Sequence, residues 1–210
     1  METNYLSQRK QVAKWMRRLY KKGLTTSLGG NMSLICPDGH LLITPSATDK
    51  GRIKGEEIAL LAPSGVNLTP TLKMSMETGM HQSIYKVRND VKAIVHAHSF
   101  YASTFAALAS PVNTRLLAEA YTILGEPAYA DYDLPGSDSL ASLVAAAAKE
   151  SNVVIMKNHG VLAVGENLLQ AFDRIEVLEN AAKMTLLTKL LSQKQELTNP
   201  QLDELKLHFM

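Results

Sequence analysis

The chain has 210 residues, 46% hydrophobic and 20% charged, and its 22 Lys and Arg nearly balance 20 Asp and Glu to leave a formal net charge of +2. That length suits one domain over residues 1–210, and the composition is too apolar for a disordered chain and too evenly charged for a coiled coil. The single cysteine, Cys36, excludes an internal disulfide and fits a reducing compartment; it reads as a small half-buried residue beside a turn. The opening residues METNYLSQRK lack the apolar segment and cleavage site of a secretory signal, and no stretch approaches the roughly 20 apolar residues of a membrane helix. A cytoplasmic location and no membrane partner are therefore expected.

From Tyr5 to Lys22 the apolar residues Leu6, Val12, Trp15, Met16 and Leu19 recur at helical spacing, and Gly23 ends the pattern. Its basic face, Arg9 to Lys22, carries no interleaved aromatic groups and reads as solvated, so nucleic acid is not expected. Next come the loop Ser27-Leu28-Gly29-Gly30-Asn31 and a hairpin of Met32 to Cys36 and His40 to Thr44 around Pro37-Asp38-Gly39. Residues 58–61 form a strand, Met74 to Val87 a helix, Lys92 to His98 a strand and Tyr101 to Ala109 a helix. Leu140 to Lys149 is helical, Asn152 to Lys157 and Val161 to Val164 are strands around Asn158-His159-Gly160, and Leu168 to Leu191 is a long helix. One short helix follows Asn199. Interspersed strands and helices with hairpin turns predict an α/β fold with a mixed or largely antiparallel sheet layered against helices.

The strongest chemical signal is Ala93-Ile94-Val95-His96-Ala97-His98. Alternation along a strand puts His96 and His98 on one face, where two neutral imidazoles can share a divalent transition metal such as zinc. His159, next to a glycine that permits a sharp turn, is a third candidate ligand, and Glu77 a carboxylate able to serve as ligand or base. His81, four residues beyond Glu77, reads as a supporting or surface residue; His40 and His208 look incidental. The loops at Gly30-Asn31 and at Thr44 to Thr48, with Ser46, could present donors to phosphate or carboxylate.

In order, G-G-N-M-S, L-I-T-P-S-A, K-M-S-M-E-T-G-M-H, V-H-A-H-S and K-N-H-G-V resemble the class II aldolase/adducin-like family, from about residue 8 to residue 190. The resemblance implies a three-layer α/β/α sandwich, a zinc ion or another divalent metal on His96, His98 and His159, and Glu77 as resting ligand and general base. It further implies a homotetramer with active sites between subunits. Gly30, Asn31, Ser46 and Ser75 match phosphate-binding positions. Ala47 stands where glycine is frequent, Met76 where many members have a second serine, and Leu28 where some have a small hydroxyl residue. A tyrosine that some members carry near the C-terminus has no match in Leu207-His208-Phe209-Met210, and Glu119 falls where a dehydratase branch carries an acid/base glutamate.

The implied substrate is a small phosphorylated sugar. The leading expectation is cleavage of a ketose 1-phosphate, fuculose 1-phosphate-like, to dihydroxyacetone phosphate and an aldehyde. Methylthioribulose-1-phosphate dehydration and pentulose-phosphate 4-epimerisation are alternatives on the same scaffold. A non-enzymatic, adducin-like interaction module is the alternative outside catalysis, and the intact set of metal ligands weighs against it.

Overall fold

A computed structural model describes residues 5–209. Its seven strands run β1 (Asn31–Ile35), β2 (Leu41–Ile43), β3 (Ala59–Leu61), β4 (Ala93–Ala97), β5 (Ala128–Ala130), β6 (Val153–Met156) and β7 (Gly160–Gly165). They form one sheet in the order β3-β2-β1-β4-β7-β6-β5. Every neighbouring pair is antiparallel except β5 with β6, so the sheet is mixed and largely antiparallel, as expected.

The strands are buried on both faces, which follows from their near-continuous apolar sequences. Val95, Ala97, Ile155, Val161 and Ala163 point to one side and join a core with α1 (Leu6–Lys21), α3 (Phe100–Ala106), α4 (Ala118–Leu124) and α6 (Leu168–Leu190). Their alternates Ile94, Val154, Met156, Leu162 and Val164 join a second core with α2 (Thr78–Val87) and α5 (Asp138–Glu150). A final helix, α7 (Asn199–Phe209), packs on α4. Helices on both faces of one sheet make the three-layer α/β/α sandwich.

Several boundaries differ from the sequence reading for local reasons. The helix predicted from Met74 starts at Thr78, because Ser75 ties its own turn: its carbonyl accepts from Thr78 N and from Thr78 Oγ1 at 2.7 Å. Glu77 therefore sits just before the helix rather than on it. The elements α4 and β5 had no sequence counterpart; β5 is only three residues long, on the sheet edge. On α1 the basic face is not wholly solvated: Arg9 is buried and donates to the carbonyls of Ile58 and Glu56 at 3.0 and 2.8 Å, while Arg17 bonds to that of Ile53. Cys36 is buried rather than half-buried.

Candidate metal centre

The centre forms where β4 ends beside the turn between β6 and β7. Antiparallel register sets Asn31 directly across from His96, so both side chains leave the sheet on the α2 face. His98 lies just past the end of β4, and its Nε2 is 3.0 Å from His96 Nε2. His159 enters from the β6–β7 turn, where Asn158 adopts a left-handed conformation with φ 53°. Gly160 makes this approach possible, because a Cβ there would stand 2.7 Å from both Ala97 O and His98 Cδ2. One candidate donor nitrogen from each of His96, His98 and His159 lies within 4.8 Å of the others, a grouping that can hold a metal ion.

Glu77 faces this group. Its Oε1 is 2.8 Å from His159 Nε2, and its Oε2 is 3.2 Å from His96 Nε2 and accepts a 2.6 Å bond from Asn31 Nδ2. Burial acts to raise its pKa, but the adjoining imidazoles of His96 and His159, with the bonds from His159 and Asn31, outweigh it and hold Glu77 below the usual carboxylate range. Burial lowers the pKa of His96, and of His98 to about 4, so both are neutral at pH 7.

The donor chemistry fits a cation. His96 Nδ1 donates to Val161 O at 3.0 Å, which leaves the neutral ring's Nε2 as a lone pair, with His98 Nε2 3.0 Å away. That lone pair faces a carboxylate oxygen, two acceptors in contact with no proton between them, and a bound cation satisfies both. His159 Nδ1 is buried with no hydrogen-bond partner among the described residues, while its Nε2 donates to Glu77 Oε1 at 2.8 Å.

Behind Glu77 runs a buried hydrogen-bond chain whose direction follows from the carboxylate being an acceptor only. Asn31 Nδ2 donates to Glu77, so Asn31 Oδ1 accepts from His81 Nε2 at 2.6 Å. His81 Nδ1 then accepts from Ser33 Oγ at 2.7 Å, which accepts from Tyr85 OH at 2.8 Å. Burial drives His81 down to about 3 and pushes the Tyr85 phenol above its usual range, so both stay neutral. His81 is thus fully buried and holds the Asn31 amide in the orientation that serves Glu77. The sequence carried the signal in two spacings: Glu77, His81 and Tyr85 repeat every four residues, and Asn31 and Ser33 alternate along one strand face.

A cavity of about 490 Å³ opens beside the centre, walled by Glu77, His98 and His159 and by the predicted Gly30, Asn31, Ser46 and Ser75. Gly30 is required there: its φ is +64°, and a Cβ would meet His96 O at 2.7 Å. Ala47 also lines the cavity and adopts φ 55°, a left-handed conformation that favours glycine. Glu119 is exposed in the first turn of α4 and is not among the residues walling this cavity. A larger depression of about 590 Å³, walled by residues including Asn113, Arg115 and Tyr129, contains none of the three histidines.

The profile described as "Class II Aldolase and Adducin N-terminal domain" matches residues 10–186, and the chain belongs to that family. Among curated relatives, the L-fuculose phosphate aldolase of Methanocaldococcus jannaschii is 36% identical over 87% of this chain and 97% of its own. A 3-oxo-tetronate 4-phosphate decarboxylase of Haemophilus influenzae is 32% identical over 85% of this chain and 87% of its own. A solved structure described as a putative aldolase/epimerase/decarboxylase from Escherichia coli superposes with a TM-score of 0.88 at 26% identity, covering 96% of this chain and 98% of that one.

Proposed function

We propose that the protein is a zinc-dependent aldolase that reversibly cleaves a ketose 1-phosphate, of the fuculose 1-phosphate type, to dihydroxyacetone phosphate and an aldehyde. The observation that carries this reading is the meeting of three imidazoles and the Glu77 carboxylate at the wall of a cavity lined with hydroxyl and amide groups. His96, His98 and His159 hold the metal, which supplies Lewis-acid stabilisation to oxyanions developing on the substrate. With substrate absent Glu77 would be a further ligand to that metal, and with substrate bound it acts as general base. In the cleavage direction the C4 hydroxyl gives its proton to Glu77, the C4=O bond of the aldehyde forms as the C3–C4 bond breaks, and that bond's electron pair passes toward the C2 carbonyl. Glu77 then returns a proton to C3. Asn31, held by His81, keeps the carboxylate aimed at that carbon.

Gly30, Asn31, Ser46 and Ser75 bind the phosphate in this reading. Glu119 serves as an acid/base group only if the chemistry is dehydration of methylthioribulose 1-phosphate. Its exposure then requires the site to lie between subunits of a homotetramer. Leu28 and Met76, exposed apolar residues on the cavity wall, support a rim covered by another subunit.

The relative named as a decarboxylase favours a second reading, in which a phosphorylated 3-oxo acid loses carbon dioxide and the same site stabilises the resulting carbanion. Incubation of the metal-loaded protein with a panel of ketose phosphates and a phosphorylated 3-oxo acid separates the readings. Release of dihydroxyacetone phosphate is expected; carbon dioxide, an epimer or a dehydrated product in its place would reject the aldolase reading.

A further inference from the structure

Lys50 is among the largest fully buried side chains of the described residues, 1% exposed, and it lines the same cavity as Ser46 and Ser75. Its backbone N–H is bonded to Ser27 O at 2.8 Å, which anchors the residue in place. Its Nζ donates to Pro45 O at 2.6 Å, and no other hydrogen bond or ion pair of this group occurs among the described residues. An ammonium has three donors, so one neutral carbonyl leaves a buried positive charge without an anion. Natural proteins keep such a group where a partner of opposite charge arrives from outside.

The rest of this part of the cavity offers neutral donors. Two positions that could have added more are filled by Ala47 and Met76, which bring no hydroxyl. Lys73 also lines the wall but is exposed, and its charge is screened by solvent. Lys50 is therefore the one buried cation beside the polar wall among the described residues.

We propose that Lys50 is the charge partner of the substrate's phosphate group and the residue that makes this cavity select a phosphate monoester over an unphosphorylated sugar. The inference rests on the phosphorylated-substrate reading above and extends it to a residue outside the phosphate-binding motif. Burial lowers the Lys50 pKa to about 8, so the group remains predominantly charged at neutral pH, and an arriving dianion would raise it again. Ser46 and Ser75 supply directed hydrogen bonds, and Lys50 supplies the charge.

The test measures binding of inorganic phosphate to the full-length, metal-loaded protein by calorimetry at neutral pH. Lys50→Met, close in shape and uncharged, is expected to lose about tenfold or more in affinity while retaining cooperative unfolding and metal content. A variant that folds, holds metal and binds phosphate as tightly as the parent overturns the proposal. Acetate in excess is expected not to compete; equal competition would make this a general carboxylate site and would also overturn it. Should Lys50→Met fail to fold, side-chain NMR of the lysines in the unaltered protein decides the matter. Saturation with phosphate is expected to raise the Lys50 pKa, and an unmoved titration counts against the proposal. Absence of dihydroxyacetone phosphate release would reject the aldolase reading alone, because phosphate binding is measured without turnover.

Discussion

Glu77 makes contacts to two histidines and one amide, and each constrains its chemistry. Replacing it with Gln keeps the shape but removes the base, so Glu77→Gln is expected to retain metal while kcat falls roughly a hundred- to ten-thousandfold. Full turnover with metal bound would reject the role. Lys50 makes a separate prediction about stability. With a folded pKa of about 8 against an ordinary 10.5, the unfolded chain binds more protons between those values, so stability rises as pH rises through that window. The cost of burying the charge is fully present below pH 8 and is relieved above 10.5, by at most about 3 kcal/mol. Denaturant unfolding of the parent minus that of Lys50→Met should show this slope, and parallel curves would contradict it. At this scale the sequence singled out His96, His98, His159 and Glu77, which the fold brings together, because their residue types and order are distinctive. It did not reveal the roles of Ser33, Tyr85 and Lys50, which depend on what the fold sets opposite them.

The same division holds for elements. Long periodic or apolar runs such as α6 and β6 were legible because their patterns repeat several times within the segment. Strand β5, with only Ala-Tyr-Ala, and the seven-residue α4 are too short to show a period and exist because neighbouring elements pair with or cover them. The start of α2 was misplaced by four residues because the Ser75 turn, a side-chain effect, competes with helix propagation. Turn geometry matters most at the β6–β7 connection. A methyl group at Gly160 would lie 2.7 Å from Ala97 O and His98 Cδ2, so Gly160→Ala is expected to cost about 1–3 kcal/mol and to weaken metal binding. Gly79→Ala on α2, which meets nothing within 4 Å, is the control and should leave both intact. Equal behaviour of the two variants in thermal unfolding and metal titration would refute this account of the turn.

In the whole molecule, the candidate metal centre lies between central strands of a seven-stranded sheet, with helices buried against both faces. The β1–β4 register brings Asn31 beside His96, and the β4–β7 pairing brings His96 near His159. Because the backbone ladders fix these neighbours, the three imidazoles and Glu77 are preorganised, and acceptor atoms face one another where a cation is needed. The layered architecture could be read from alternating strands, helices and hairpin turns. The strand order could not, since antiparallel neighbours brought together over long sequence separations leave no local trace. The account depends most on the metal, and the most direct test is release of dihydroxyacetone phosphate from ketose 1-phosphates before and after chelation. Bound metal in the purified protein, activity lost on chelation and activity restored by added zinc are the predicted results; turnover that persists in metal-free protein would contradict the account.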